Sequence, residues 1–253
     1  MEPFIVFVIG PAGTGKTTLV SSLSDFIEAQ GLNITRVNLD PAAEHLPYVP
    51  DVDIREHVFA RRVMEELALG PNGAIIASVD MILEHLDKIE EELSEDGYIL
   101  VDTPGQMEVF VFRQSGLEIV RRLTESRKAS VIFVHDVLLA LSPSSFISQS
   151  FLAAASYYRL KLPFLNAFNK VDLISSSQLE RIKLWIGDID ALSAALEEEL
   201  TGEVRLLNLG LVKTLRDFIF AFSAFYISAV KMIGLDALFA ELQRLYTGGD
   251  MPA

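Results

Sequence analysis

The chain has 253 residues, half of them hydrophobic, which suffices for one large α/β domain with a full apolar core. Its 21 basic and 35 acidic residues leave a formal net charge of −14, and this argues against broad nucleic-acid binding, which rests on neutralising phosphates with Lys and Arg. Cysteine is absent, so disulfides, thiolate metal sites and cysteine nucleophiles are excluded.

The first apolar run, FIVFVIG (4–10), is short, unbroken and rich in Ile, Val and Phe, as a strand buried on both faces is. No basic region precedes it, so no signal peptide is expected and a cytoplasmic protein is the default. Next comes Gly10-Pro11-Ala12-Gly13-Thr14-Gly15-Lys16-Thr17, which fits G-x-x-x-x-G-K-[ST] at every fixed position and opens a helix over 16–30. The glycines let successive backbone N–H groups face one anion, and the helix N-terminus adds its dipole. Lys16 offers charge to β- and γ-phosphates, and Thr17 offers a hydroxyl to Mg²⁺. Thr18 stands next in the same turn and is counted with the nucleotide-binding residues.

A second strand, NITRVNLD (33–40), ends in Asp40. Helical patterns follow over 55–69 and 74–95; in the second, Ile75, Val79, Ile82, Leu86, Ile89 and Leu93 recur at spacings of three and four. Between them lies LALGPNGAII. Its Gly70 ends one helix, Pro71 cannot continue it, and Asn72 is suited to cap the next.

The strand GYILVDT (97–103) runs into Asp102-Thr103-Pro104-Gly105-Gln106. An apolar strand ending in Asp is the expected second group on the metal side, Asp102 acting through water. Gly105 can bring its N–H near a γ-phosphate, and the Gln106 amide is placed to orient a water. A helix over 107–126, the strand ASVIFVHD (129–136) and a helix over 144–160 come next.

The strand LPFLNAFNK (162–170) ends in Asn169-Lys170-Val171-Asp172, an N-K-x-D signature. Guanine presents N1–H and an exocyclic amine, which one carboxylate, Asp172, accepts together; adenine lacks that donor pair. Asn169 is expected to contact the base and tie loops together, and the Lys170 stem to pack over the ring with its amine in water. A long helical insertion over 176–222, beginning with a helix over 176–200, precedes the strand SAFYISA (223–229) and a helix over 234–246. Ser228-Ala229 stands where a backbone contact to the guanine oxygen belongs, although Val230 follows in place of Lys or Leu. The apolar run 218–230 is too short to span a bilayer, so no membrane association is expected.

This alternation predicts a single α/β domain over 1–253 of the Rossmann-like P-loop NTPase kind, a mostly parallel sheet with helices on both faces and a helical insertion. Ligands in such sheets sit at the carboxyl ends of the strands, where every motif above falls.

The ordered set GPAGTGKT, NLDPA, GPN, DTPGQME, NKVD and SA resembles the GPN-loop GTPases, over residues 4 to about 246. The resemblance implies a homodimeric, Mg²⁺-dependent GTPase binding GTP and GDP, an assembly or chaperone-type switch with a helical hairpin over about 55–95. It implies that Asn72 of each GPN loop acts in trans near the partner's γ-phosphate, in place of an arginine finger. Asp40 and Asp102 are then metal-side and catalytic groups, with Gln106 and Glu108 positioning the attacking water. It also implies a peptide or protein client at the insertion. The alternative, a MinD/ArsA-like dimerising ATPase, is favoured by Asp40-Pro41 but opposed by NKVD and by Pro11 and Ala12, where those enzymes carry an early Lys.

The remaining features read as ordinary. His45, His57, His85 and His135 form no H-E-x-x-H, so no zinc site is expected. Arg55, Arg61, Arg62 and Arg113 read as surface arginines.

Overall fold

The computed structural model describes residues 2–199, 210, 212 and 223–248. Strand β1 (Phe4–Ile9) is buried along its whole length. Its side chains alternate between two cores, Ile5, Phe7 and Ile9 in one and Phe4, Val6 and Val8 in the other. That alternation is what a central strand covered on both sides requires.

β1 lies between β4 (Tyr98–Asp102) and β5 (Lys128–Asp136). With β2 (Ile34–Asn38), β3 (Val52–Asp53), β6 (Phe164–Asn169) and β7 (Ala224–Tyr226) the sheet reads β3-β2-β4-β1-β5-β6-β7, and every pair is parallel. All seven strands therefore deliver their following loops to one edge. The chain turns back across the sheet beside β1, the position where such sheets open a crevice.

One face is covered by α1 (Lys16–Ala29), and the last helix, Leu235–Tyr246, packs beside it; Leu19, Leu23, Ile27, Leu238 and Leu242 share its core. The other face carries α2 (Ala60–Glu66), α3 (Pro71–Met81), α4 (Leu86–Glu92), α5 (Met107–Val111), α6 (Gln114–Thr124) and α7 (Pro143–Leu160). Beyond α7, helices α8 (Ser176–Gly187) and α9 (Ile189–Glu199) close a third core around Phe146, Phe168 and Trp185. Ile182, Trp185, Leu192 and Leu196 are buried there, so these apolar residues pack on the domain rather than standing open to a client. The rest of the insertion, 200–209, 211 and 213–222, lies outside the described residues.

Several elements differ from expectation, each for a local reason. Strand β3 is two residues long and carries no period of its own; the pairing of Val37 with Val52 and Asn38 with Asp53 creates it. The helix expected over 55–69 is confined to α2, after a 3₁₀ turn at Ile54–Glu56. The helix expected over 74–95 starts earlier, because Pro71 occupies its first turn with Gly70 as the cap residue, a position where a missing N–H costs nothing. Pro71 thus opens α3, and Asn72 lies inside the helix rather than capping it. This helix is also divided by a 3₁₀ turn at Ile82–His85, yet Val79, Ile82, Leu86, Ile89 and Leu93 all stay buried. Spacings of three and four read alike in either helix type.

The helix expected over 107–126 breaks at Phe112-Arg113. A Cβ on Gly116 would nearly coincide with the Phe110 carbonyl, so the two segments fold back on one another. The one expected over 176–200 breaks at Asp188, whose Oδ1 accepts from the N–H groups of Asp190 (2.9 Å) and Ala191 (3.2 Å) and so caps α9.

Candidate functional site

Gly10–Gly15 form the turn between β1 and α1. At both ends the backbone needs glycine. Gly10 has φ 147° and a Cβ there would meet the Val134 carbonyl at 2.5 Å; Gly15 has φ 94° and would meet Asn169 Nδ2 at 2.5 Å. Within the turn, Pro11 and Ala12 shape the outer side and Thr14 folds back, its hydroxyl donating to Pro11 O at 2.9 Å. The buried Lys16 ammonium donates to Gly10 O (2.9 Å), Pro11 O (3.1 Å) and Gly105 O (3.4 Å). Burial pulls its pKa down, while Asp102, Asp40 and Glu108 act the other way. The charge of each of these three carboxylates is felt at Lys16. Thr18 follows, half-buried, in the first turn of α1.

Asp102 ends β4 fully buried, and burial pushes its carboxyl up to about 6, with the Thr17 hydroxyl beside it opposing that shift. Its Oδ2 accepts from the Tyr48 hydroxyl at 3.2 Å, whereas Oδ1 is buried without a hydrogen-bond partner among the described residues. Asp40 lies near enough to raise the Asp102 pKa further, and its own is raised, chiefly by burial. Two carboxylates and a hydroxyl, with one carboxylate oxygen left over, make a hard-oxygen donor set that suits Mg²⁺. Thr17, Asp102 and Asp40 are the residues that fit it.

Asp40 also holds the loop after β4. Its Oδ2 accepts from the Gly105 N–H at 2.9 Å and its Oδ1 from Ala42 N–H at 2.9 Å. The N–H expected to face a γ-phosphate is thus occupied by a carboxylate in this state. Asn38 and Asp53 brace Asp40 in turn: Asn38 Oδ1 accepts from Asp40 N–H at 3.0 Å and its Nδ2 donates to Asp53 Oδ1 at 2.9 Å. Arg55 pairs with Asp53 at 2.6 Å and donates to Ala43 O at 2.9 Å, so it is a structural rather than a free surface arginine.

Asn72, exposed at the start of α3, meets Gln106 of the same chain, whose Nε2 lies 3.5 Å from Asn72 Oδ1. Glu108 is exposed in the first turn of α5. Arg113 pairs with Asp80 at 2.7 Å and ties α6 to the helix that carries Asn72.

At the base end, Asn169 joins two loops. Its Nδ2 donates to Thr14 O at 2.9 Å, and its Oδ1 accepts from Ala229 N–H at 3.0 Å. Ala229 N–H therefore closes this clasp instead of facing the crevice, and Ser228 Oγ turns back to accept from Lys231 N–H at 3.1 Å. Lys170 adopts a left-handed backbone, φ 71°, a conformation that costs energy for a residue with a side chain. Its ammonium is not left in water: it donates to Gly13 O at 2.7 Å and pairs with Asp136 at 2.6 Å. Asp172 is exposed in the following 3₁₀ turn.

Sequence reasoning missed Tyr48, Asp53 and the role of Asp136. Asp136 was findable: it ends β5 as Asp102 ends β4 and Asn169 ends β6. Tyr48 carries no local signal.

A family model described as "Conserved hypothetical ATP binding protein" matches residues 8–248. The chain is similar to GPN-loop GTPase 1 of Dictyostelium discoideum, 34% identical over 245 residues, 95% of this chain and 61% of that protein. It is also similar to GPN-loop GTPase PAB0955 of Pyrococcus abyssi, 37% identical over 197 residues, 76% of this chain and 77% of that one. The chain thus spans under two thirds of the Dictyostelium protein and more of the Pyrococcus one. The crystal structure of PAB0955, described as a GTPase in apo form, superposes with a TM-score of 0.85 at 31% identity, covering 97% of this chain and 98% of that one.

Proposed function

The chain belongs to the GPN-loop GTPases, and from that premise we propose that it binds GTP and GDP and hydrolyses GTP with Mg²⁺, as a homodimer whose GPN loops act in trans. The observation that carries the reading is the double hydrogen bond of Asn169 to Thr14 and Ala229, which joins the phosphate end and the base end into one crevice.

In this reading the Lys16 ammonium leaves the carbonyls of Gly10 and Pro11 for phosphate oxygens, which hold it more strongly because they are charged. Thr17, Asp102 and Asp40 are the residues that would hold Mg²⁺, which would supply positive charge against the phosphates. Asp40 gives up Gly105 N–H to the γ-phosphate. Gln106 and Glu108 orient the attacking water, and Asn72 of the opposite chain adds an amide that both donates and accepts. Asn72 and Gln106 are positioned at the rim, and their contact is long, so either is available across an interface. A cytoplasmic switch that holds a peptide or protein client belongs to the same proposal.

The description of the matching family model names ATP, so the second reading is ATP binding, as in the MinD/ArsA-like alternative. Asp172 discriminates. Its carboxylate matches the two donors of guanine, whereas an amide there would match a base with an acceptor in place of the amine. The wild type is expected to bind GTP far more tightly than ATP. Asp172→Asn is expected to lose GTP and gain xanthosine triphosphate. Equal binding of ATP and GTP, unchanged in Asp172→Asn, would refute the guanine reading.

A further inference from the structure

The loop between β2 and β3 runs from Leu39 to Asp51, and both of its ends are anchored. At its start Asp40 reaches Gly105; at its end Asp51 N–H donates to Arg36 O at 2.8 Å while Asp51 Oδ2 accepts from Arg36 N–H at 2.7 Å. Between these anchors Pro41 and Tyr48 are buried, and Leu46 packs against the same core as Tyr48. Tyr48 is 9% exposed and its ring belongs to the core of Leu19, Leu23 and Leu100, although the next residue, Val49, is 85% exposed. The ring ends at Asp102, 54 residues away, where its hydroxyl donates to Oδ2 at 3.2 Å.

A carboxylate at the end of a strand can rotate about its terminal bond, and a hydrogen bond to one oxygen fixes where the other points. Here Oδ2 is taken by Tyr48, Oδ1 is the buried atom left without a partner among the described residues, and the Thr17 hydroxyl lies near the same carboxyl group. A buried carboxylate oxygen left bare is costly, and the nearness of its carboxyl group to the hydroxyl that would also bind the cation gives it a use. We propose that Tyr48 is a positioning residue that holds Oδ2 of Asp102 so that Oδ1 faces Mg²⁺ or its water, and thereby links the seating of the loop after β2 to metal binding. This rests on the functional reading above. Nothing in the proposal requires Tyr48 to touch nucleotide.

The test is release of a fluorescent GDP from the full chain over a Mg²⁺ titration, with an excess of chelator as the zero point. Tyr48→Phe keeps the ring and removes the hydroxyl. It is expected to raise the Mg²⁺ concentration for half-maximal retention about tenfold, the scale of one lost hydrogen bond to a charged group. Release in chelator is expected to be unchanged, and Val49→Ser is expected to match the wild type throughout. In an Asp102→Asn background, Tyr48→Phe is expected to change nothing, because residues that act through each other are not additive. A full effect in that background, or unchanged Mg²⁺ dependence in Tyr48→Phe, overturns the role of Tyr48 and leaves the functional reading standing. Wild-type release that ignores chelation overturns both.

Discussion

Asn72 and Gln106 meet within one chain: the amide of the GPN loop lies 3.5 Å from the amide that follows Gly105. The loop is held there by rigid parts. Pro71 fixes its own φ in the first turn of α3, and Arg113 pairs with Asp80 nearer the other end of the same helix. The GPN turn is therefore a stiff carrier of one amide at the rim of the phosphate site.

Whether that amide serves its own site or the opposite one is decided by mixing. Asn72→Ala alone is expected to bind GTP and lose most of its hydrolysis. Lys16→Ala alone is expected to lose binding. Mixed in equal amounts and allowed to exchange, they are expected to regain activity, with about one site in four competent in a symmetric dimer, because the Lys16→Ala chain still presents Asn72. Absence of rescue in a phosphate-release assay, with exchange of subunits verified, would sink the trans reading and favour the contact within the chain.

The clasp made by Asn169 gives a second expectation. Gly15→Ala places a methyl 2.5 Å from Asn169 Nδ2 and asks an L side chain to adopt φ 94°, so the amide must move off Thr14 O. Guanine-nucleotide affinity is expected to fall at least tenfold. Asn169→Ala leaves Thr14 O and Ala229 N–H without their partner and is expected to destabilise the apoprotein by about 1–3 kcal/mol. Calorimetric titration and chemical denaturation measure the two. Normal nucleotide affinity in Gly15→Ala would show that the clasp does not shape the crevice.

His135 gives the pH dependence. It is buried in β5, stacked on Phe168 with ring centroids 4.3 Å apart, and its Nε2 lies 2.9 Å from Asn166 Oδ1. Burial pushes its pKa down to about 4, against 6.5 in the unfolded chain. Between those values the unfolded chain binds the proton and the folded chain does not, so stability rises with pH across this window and is fully present above it. The contribution lost on acidification is about 3 kcal/mol. Replacing the ring by Phe removes the titration, so the stability difference between wild type and His135→Phe is expected to move in favour of the wild type from pH 4 to 6.5, read by denaturant melts. A pH-independent difference would mean that the imidazole titrates normally.

Much of this site is legible in the sequence because its chemistry is written in contiguous stretches. A Gly-rich turn between a strand and a helix, Asp at one strand end and N-K-x-D at another each need only local spacing. Element boundaries were less legible. Spacings of three and four do not distinguish an α turn from a 3₁₀ turn at Ile82–His85, and the Gly116 contact with Phe110 is a packing constraint with no mark in composition.

By itself the sequence determined the parallel α/β class, the crevice at the carboxyl edge and the residue types that enter it, since periodicity and turn chemistry are local properties of the chain. Only the tertiary structure decided how those residues are used: Asp40 on Gly105, Tyr48 on Asp102, Lys170 on Asp136, and Asn169 spanning 155 residues to Thr14. Each of these contacts depends on which strands lie side by side and on which buried polar atom lacks a partner. Hydrogen bonding in a buried site is settled by the whole packed neighbourhood, and no stretch of sequence contains that neighbourhood.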